Sequence, residues 1–200
     1  SSIVLSSLNG DSILYSGSLI DVSTNEAGAV GGRVEILGKQ VVLIGARIYA
    51  YGVAGGGMVL IGGDFQGKGT VPNATVTLVS RDSYIHADAT GLGNGGTVIA
   101  WSDQATHFYG HISVCGGSEG GNGGFVQVSS AQDTDFNGFV DASAPQGNRG
   151  TFILDQAGTT GYAASLATDL LDYYPGQTVT IIGSGWLAGE TVSLLLHPSK

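Results

Sequence analysis

One spacing constrains this chain more than any other feature. Short apolar–polar–apolar pairs recur along it: Ile20/Val22, Ile48/Ala50, Ile85/Ala87, Ile112/Val114 and Val140/Ala142, with first members 28, 37, 27 and 28 residues apart. Self-similarity at such a period marks a repeat architecture in which each unit buries its apolar side against its neighbours. A second column follows each pair: Val34/Ile36, Val59/Ile61, Val98/Ala100, Val126/Val128 and Phe152/Leu154. Before it stand Gly31-Gly32, Gly56-Gly57, Gly95-Gly96, Gly123-Gly124 and, last, Gly150 alone. A weaker third column ends in an aromatic or aliphatic residue just before a glycine, as in Tyr15-Ser16-Gly17, Ile44-Gly45, Phe108-Tyr109-Gly110 and Phe136-Asn137-Gly138.

Three short strands per turn of about 28 residues predict a parallel β-helix, because strand side chains alternate between inside and outside with period two. The glycines are then corners, where a sharp bend or a positive φ costs no steric strain. This explains why 35 of 200 residues are glycine without collagen, which the missing Gly-X-Y period excludes. The expected fold is all-β, a parallel β-helix of about five to six rungs over 1–155. Residues 156–170 read as a linker or cap. Residues 171–200 read as a C-terminal β-hairpin or partial β-sandwich, with strands at Thr178–Gly183 and Thr191–Leu196. The one long interval coincides with residues 62–74, an insertion expected to bulge from a corner.

The motifs Gly62-Gly63-Asp64-Phe65-Gln66-Gly67 through Val71-Pro72-Asn73-Ala74, Gly93-Asn94-Gly95-Gly96-Thr97-Val98-Ile99-Ala100-Trp101-Ser102-Asp103 and Gly121-Asn122-Gly123-Gly124-Phe125-Val126 with Val128-Ser129-Ser130 resemble the repeat region of filamentous-haemagglutinin-type exoproteins. The resemblance spans about residues 10–155. It implies a right-handed parallel β-helix, two-partner secretion to the bacterial surface, and a role in adhesion, biofilm or fibre formation. Residues 172–196 resemble, more weakly, the opening strands of an immunoglobulin-like module of bacterial surface proteins. The chain departs from the family in having no Asn-Pro-Asn secretion motif: its only Pro-Asn is Pro72-Asn73.

Charge narrows the partners. With 16 acidic and 7 basic residues the net charge is −9, which disfavours nucleic acid and anionic lipid. The apolar stretch from Val41 to Gly63 contains Arg47 and seven glycines, so it reads as buried strands rather than a membrane span. The chain opens at Ser1 with neither methionine nor leader, as a processed chain or a fragment would.

Chemistry-bearing residues are scattered on this frame. Asp21, Tyr49, His86, Ser113 and Asp141 project outward in one column, and Ser23, Tyr51, Asp88, Cys115 and Ser143 in the next. Asp21 and Asp141, four rungs apart at about 4.8 Å each, would be roughly 19 Å from one another. Glycosidase carboxylates sit about 5–9.5 Å apart, so no catalytic pair is expected. His107 and His111 have i, i+4 spacing, but Gly110 and the strand pattern remove the helix that would make it a zinc motif. No cofactor or metal is expected. The single cysteine, Cys115, excludes an internal disulfide and poses a choice between an inert thiol and a cross-link to another chain.

Outward residues of the second column are too apolar for water. Met58, Leu60, Ile99, Phe125 and Ile153 form a stripe that marks a candidate interface. The stripe is expected to be covered by the C-terminal strands with Trp186, Leu194 and Leu196, or by a neighbouring subunit; an insertion loop of the same chain is the competing cover. The β-prone segment Ser1–Leu8 adds an edge at which further rungs or stacked subunits would pair. The expectation is therefore a non-enzymatic, extracellular structural or adhesive solenoid that self-associates into filaments or biofilm matrix, with host or matrix glycans as further partners. The alternative is a carbohydrate-active β-helix, with Tyr49 and Tyr51 stacking on sugar.

Overall fold

The computed structural model describes residues 1–156, 165–168 and 181–184. Five turns each contribute three strands. These are β1 Ser2–Ser6, β2 Ser12–Leu14 and β3 Leu19–Asp21, then β4 Arg33–Leu37, β5 Gln40–Leu43 and β6 Arg47–Tyr49. Next come β7 Met58–Ile61, β8 Val76–Val79 and β9 Tyr84–His86, then β10 Thr97–Ser102, β11 Ala105–Phe108 and β12 His111–Ser113. The fifth turn is β13 Phe125–Ser130, β14 Asp133–Phe136 and β15 Phe139–Asp141, and β16 Thr151–Gln156 opens a sixth. Equivalent strands pair in parallel into three sheets: A (β1-β4-β7-β10-β13-β16), B (β2-β5-β8-β11-β14) and C (β3-β6-β9-β12-β15). The protein is a parallel β-solenoid of about five turns, and the one helical element among the described residues is a 3₁₀ turn at Phe65–Gly67.

Register follows the predicted columns. Ile20, Ile48, Ile85, Ile112 and Val140 are successive partners in sheet C. Val34, Val59, Val98, Val126 and Phe152 are successive partners in sheet A. All but Val140 and Phe152 are buried in one cluster, against which those two pack half-buried; β-branched residues suit the pleated surface, and each fully buried one contributes about 1.5–3 kcal/mol. The third column needs correction in its first two turns. Leu14 and Leu43 stack under Val79, Phe108 and Phe136, while Tyr15 and Ile44 are 62% and 38% exposed. Gly17 follows the inward Leu14 by three positions, where Gly45, Gly110 and Gly138 follow their inward residues by two, so a glycine-anchored alignment slips at Tyr15; at Ile44 the apolar residue directly before the glycine is the outward one.

The paired glycines act by close approach rather than by positive φ, which none of those before sheet A adopts. A Cβ on Gly56 would lie 1.8 Å from the Ala87 carbonyl oxygen, and one on Gly95 would lie 1.9 Å from that of Val114. Those oxygens are engaged: Gly57 and Gly96 N–H donate to Ala50 and Ala87 at 2.7 Å each, and Gly124 N–H donates to Val114 at 2.7 Å. Between sheets A and B the core turns polar, and its hydroxyls are satisfied. Thr77 Oγ1 donates to the Trp101 carbonyl and Thr106 Oγ1 to that of Ser129, both at 2.9 Å.

The chain divides into two units, 1–159 and 160–200. In the second, β17 Ser165–Thr168 pairs antiparallel with β18 Ile181–Ser184. The strand expected at Thr178–Gly183 thus overlaps β18, and its partner lies within the stretch 156–170 read as linker or cap. The expected strand Thr191–Leu196, and with it Trp186, Leu194 and Leu196, lies outside the described residues. No described helix is long and apolar enough to cross a membrane.

Candidate functional site

Sheet C presents two outward ranks because each of its three-residue strands points its central residue inward. The first rank is Leu19, Arg47, Tyr84, His111 and Phe139; the second is Asp21, Tyr49, His86, Ser113 and Asp141. Within the first, the Arg47 guanidinium carbon lies 5.6 Å from the centre of the Tyr84 ring, and His111 stacks on Tyr84 at 4.7 Å with 6° between planes. Phe139 continues the pile at 6.0 Å from His111. The faces of Tyr84 are therefore occupied within the protein, and its edge is what meets solvent. In the second rank Tyr49 meets Tyr51 at 6.2 Å and the edge of His86 at 5.6 Å. The two tyrosines singled out for sugar stacking are brought together, as tilted rings rather than a flat platform.

Beside these rings the outward polar residues converge on Asp88. Its Oδ1 accepts from Ser113 Oγ at 2.5 Å and from the Cys115 backbone N–H at 2.7 Å, while Oδ2 lies 3.4 Å from His86 Nδ1. Burial works against the charged form, but the hydrogen bonds from His86, Ser113 and Cys115 outweigh it and hold the carboxyl below its ordinary range. Cys115 itself is half-buried with Ser113 and Ser143 at 3.4 and 3.5 Å. Burial pushes its thiol up, against the two hydroxyls, and Asp88 and Asp141 add to the rise, so the thiolate is disfavoured.

The remaining histidines part company. His107 belongs to β11 in sheet B, with Nδ1 4.0 Å from Asp135 Oδ2, whereas His111 belongs to β12 in sheet C. Asp21 and Asp141 occupy the first and fifth turns of sheet C. Among the described residues no three His, Cys, Asp or Glu side chains gather as a metal site would require.

The apolar stripe on sheet A has a different fate from the expected subunit or C-terminal cover. Residues 62–74 fold back over it as a strap. Leu60 and Ile99 are 0% and 3% exposed, clustered with Trp101 and packed by Met58, Val71 and Ala131. Phe65 meets Phe125 edge-on at 5.8 Å, and Gln66 N–H donates to Gln127 Oε1 at 3.1 Å. Asn73 fastens the far end, donating from Nδ2 to Gly67 O and to Asp103 Oδ1 at 3.0 Å each. Leu60 and Ile99 thus have no surface left for a partner, while Met58, Phe125 and Ile153 are half-buried. Trp101 and Phe65 were not among the candidate residues. Their signal was present: the run Val98-Ile99-Ala100-Trp101 is apolar on both faces, as a strand covered on both sides must be.

The corner between sheets C and A carries a shallow groove floored by the paired glycines and walled by Asn94, Asn122 and Asn148. The asparagines form a ladder. Asn94 Oδ1 accepts from Asn122 N–H at 2.7 Å, and Asn122 Oδ1 accepts from Asn148 N–H at 2.9 Å. Comparison with protein-family models and with curated proteins finds no match for this chain.

Proposed function

We propose that this chain is a non-enzymatic structural and adhesive β-solenoid, a shaft segment of a filamentous-haemagglutinin-type protein displayed outside a bacterial cell. One observation carries the reading. The outward side chains spend their contacts on equivalent residues one turn away, as in the pile Arg47–Tyr84–His111–Phe139, and so stiffen the shaft. The three motifs that resemble that family's repeats support it, and so does the net charge of −9, which keeps the shaft off nucleic acid and anionic lipid. In this reading the partners are further copies of the chain and glycans of a host or matrix.

The test is electron microscopy of the purified protein at rising concentration, with polysaccharide depolymerisation assayed in parallel. Rods or filaments without depolymerisation support the proposal, and polysaccharide cleavage by the protein overturns it. A second reading, a polysaccharide-binding face on sheet C, is favoured by the solvent-facing pair Tyr49 and Tyr51. Retardation of the wild type, but not of a Tyr49→Ala/Tyr51→Ala variant, in gels containing soluble polysaccharides would support it.

A further inference from the structure

The chain contains four Asn–Gly pairs, Asn9–Gly10, Asn94–Gly95, Asn122–Gly123 and Asn137–Gly138. Such a pair is suited to imide chemistry, because glycine places no Cβ beside its own amide nitrogen. The reaction requires that nitrogen, and the asparagine side chain before it, to be free to approach each other.

At two pairs the next turn holds both groups. Gly95 N–H donates to Asn122 O at 2.9 Å and Gly123 N–H to Asn148 O at 2.8 Å. The side-chain oxygens of Asn94 and Asn122 are held in the ladder already described. At the third, Gly10 N–H donates to Ser7 Oγ at 3.1 Å. The fourth pair differs. Asn137 is exposed in the corner between β14 and β15, anchored by its own N–H to Phe108 O at 3.0 Å. Among the described residues neither its side-chain amide nor Gly138 N–H has a hydrogen-bond partner.

We propose that Asn137–Gly138 is a site of spontaneous, site-selective backbone modification. The Gly138 nitrogen attacks Asn137 Cγ, and the new N–C bond closes a cyclic succinimide. The side-chain nitrogen leaves as ammonia, taking up the proton that Gly138 loses. Water then adds to one of the two imide carbonyls and opens the ring to aspartate or isoaspartate; no oxidant or reductant takes part. The isoaspartyl product lengthens the main chain by one methylene carbon at a corner of fixed register. Just beyond it, Phe139 N–H donates to Gly110 O at 2.9 Å and Val140 is paired with Ile112. The modification therefore loosens the fifth turn of sheet C.

The test incubates the full chain at mildly alkaline pH and maps its peptides by mass spectrometry, with isoaspartyl methyltransferase marking the rearranged product. Asn137 should convert faster than Asn94 and Asn122 by about tenfold or more, the scale set by one retained backbone hydrogen bond. Asn9 should fall between them. In concentrated urea the four sites should react at similar rates, and Asn137→Gln should remove the fast event from the folded protein. Equal rates at Asn137 and Asn94 in the folded chain, Asn9 outpacing Asn137, or the same ranking in urea would each overturn the proposal.

Discussion

His111 lies flat on Tyr84, ring centres 4.7 Å apart and planes 6° from parallel, one strand away on the outward face of sheet C. Arg47 occupies the vicinity of the same tyrosine ring at 5.6 Å. Contacts of this kind add about 0.5–1.5 kcal/mol each beyond area burial. Tyr84→Ala should therefore lower the free energy of unfolding by about 1–3 kcal/mol, and Tyr84→Phe by less than about 0.5 kcal/mol. Urea titration followed by circular dichroism measures both.

The strap makes a second prediction, of association. Replacing Asp64–Pro72 by a short Gly-Ser linker uncovers Leu60, Ile99 and Trp101, now buried in one small cluster. The variant should self-associate at lower concentration than the parent in sedimentation velocity, because a contiguous exposed apolar patch seeks cover. Leu60→Ala should instead leave the strap in place and cost about 2–5 kcal/mol, as a cavity in a packed cluster does.

Two neighbouring glycines should respond in opposite ways. A Cβ on Gly55 would find its nearest neighbour at 3.5 Å, an ordinary contact, whereas on Gly56 it would meet the Ala87 carbonyl at 1.8 Å. Gly55→Ala is expected to stay within about 1 kcal/mol of the parent, and Gly56→Ala to lose more than about 3 kcal/mol or fail to fold. Thermal melts of the pair decide it.

Asp88 sets a pH dependence. Its folded pKa is held below the ordinary 3.8, so the stability it contributes is present above that value and is lost as pH falls through the lower folded value. Asp88→Asn should cost about 1–3 kcal/mol at neutral pH, through weakened bonds to Ser113 Oγ and the Cys115 N–H. The gap between variant and parent should narrow as pH falls below about 4. Urea unfolding at a series of pH values reports it.

Much of the architecture was legible because a solenoid repeats its constraint every turn. Ile48, Ile85 and Ile112 each had to satisfy the same position, and five copies of one weak pattern reinforce one another. The third column slipped at Tyr15 because Gly17 stands three residues after the inward Leu14 rather than two, and at Ile44 because the residue directly before Gly45 is apolar although the inward one is Leu43. The outward rank of Leu19, Arg47, Tyr84, His111 and Phe139 was not read as a column, whereas Asp21, Tyr49, His86, Ser113 and Asp141 and the column of Ser23, Tyr51, Asp88, Cys115 and Ser143 were legible. The choice of Asp88 as their polar centre was not, because that depends on Ser113 and the Cys115 N–H converging from the next turn. Nor was the cover over Leu60 and Ile99, which residues 62–74 supply through contacts such as Phe65 on Phe125 that no local pattern encodes. An insertion can read equally as ornament or as lid; the apolar Ile99 and Trp101 on an outward face were the sign that favoured the lid.

The parallel ladders also decide how the solenoid would respond to tension. Their hydrogen bonds run from turn to turn along the solenoid axis, so tension applied along that axis pulls on them end-on, one turn at a time. Each rupture would release about one repeat of chain, 27 or 28 residues for most intervals and 37 where the strap is inserted. The strap binds its own turn to β10 and β13 through Trp101, Phe125 and Gln127, which makes the longest segment also the best riveted. A solenoid built this way yields in steps, one turn at a time, and the strapped turn gives last.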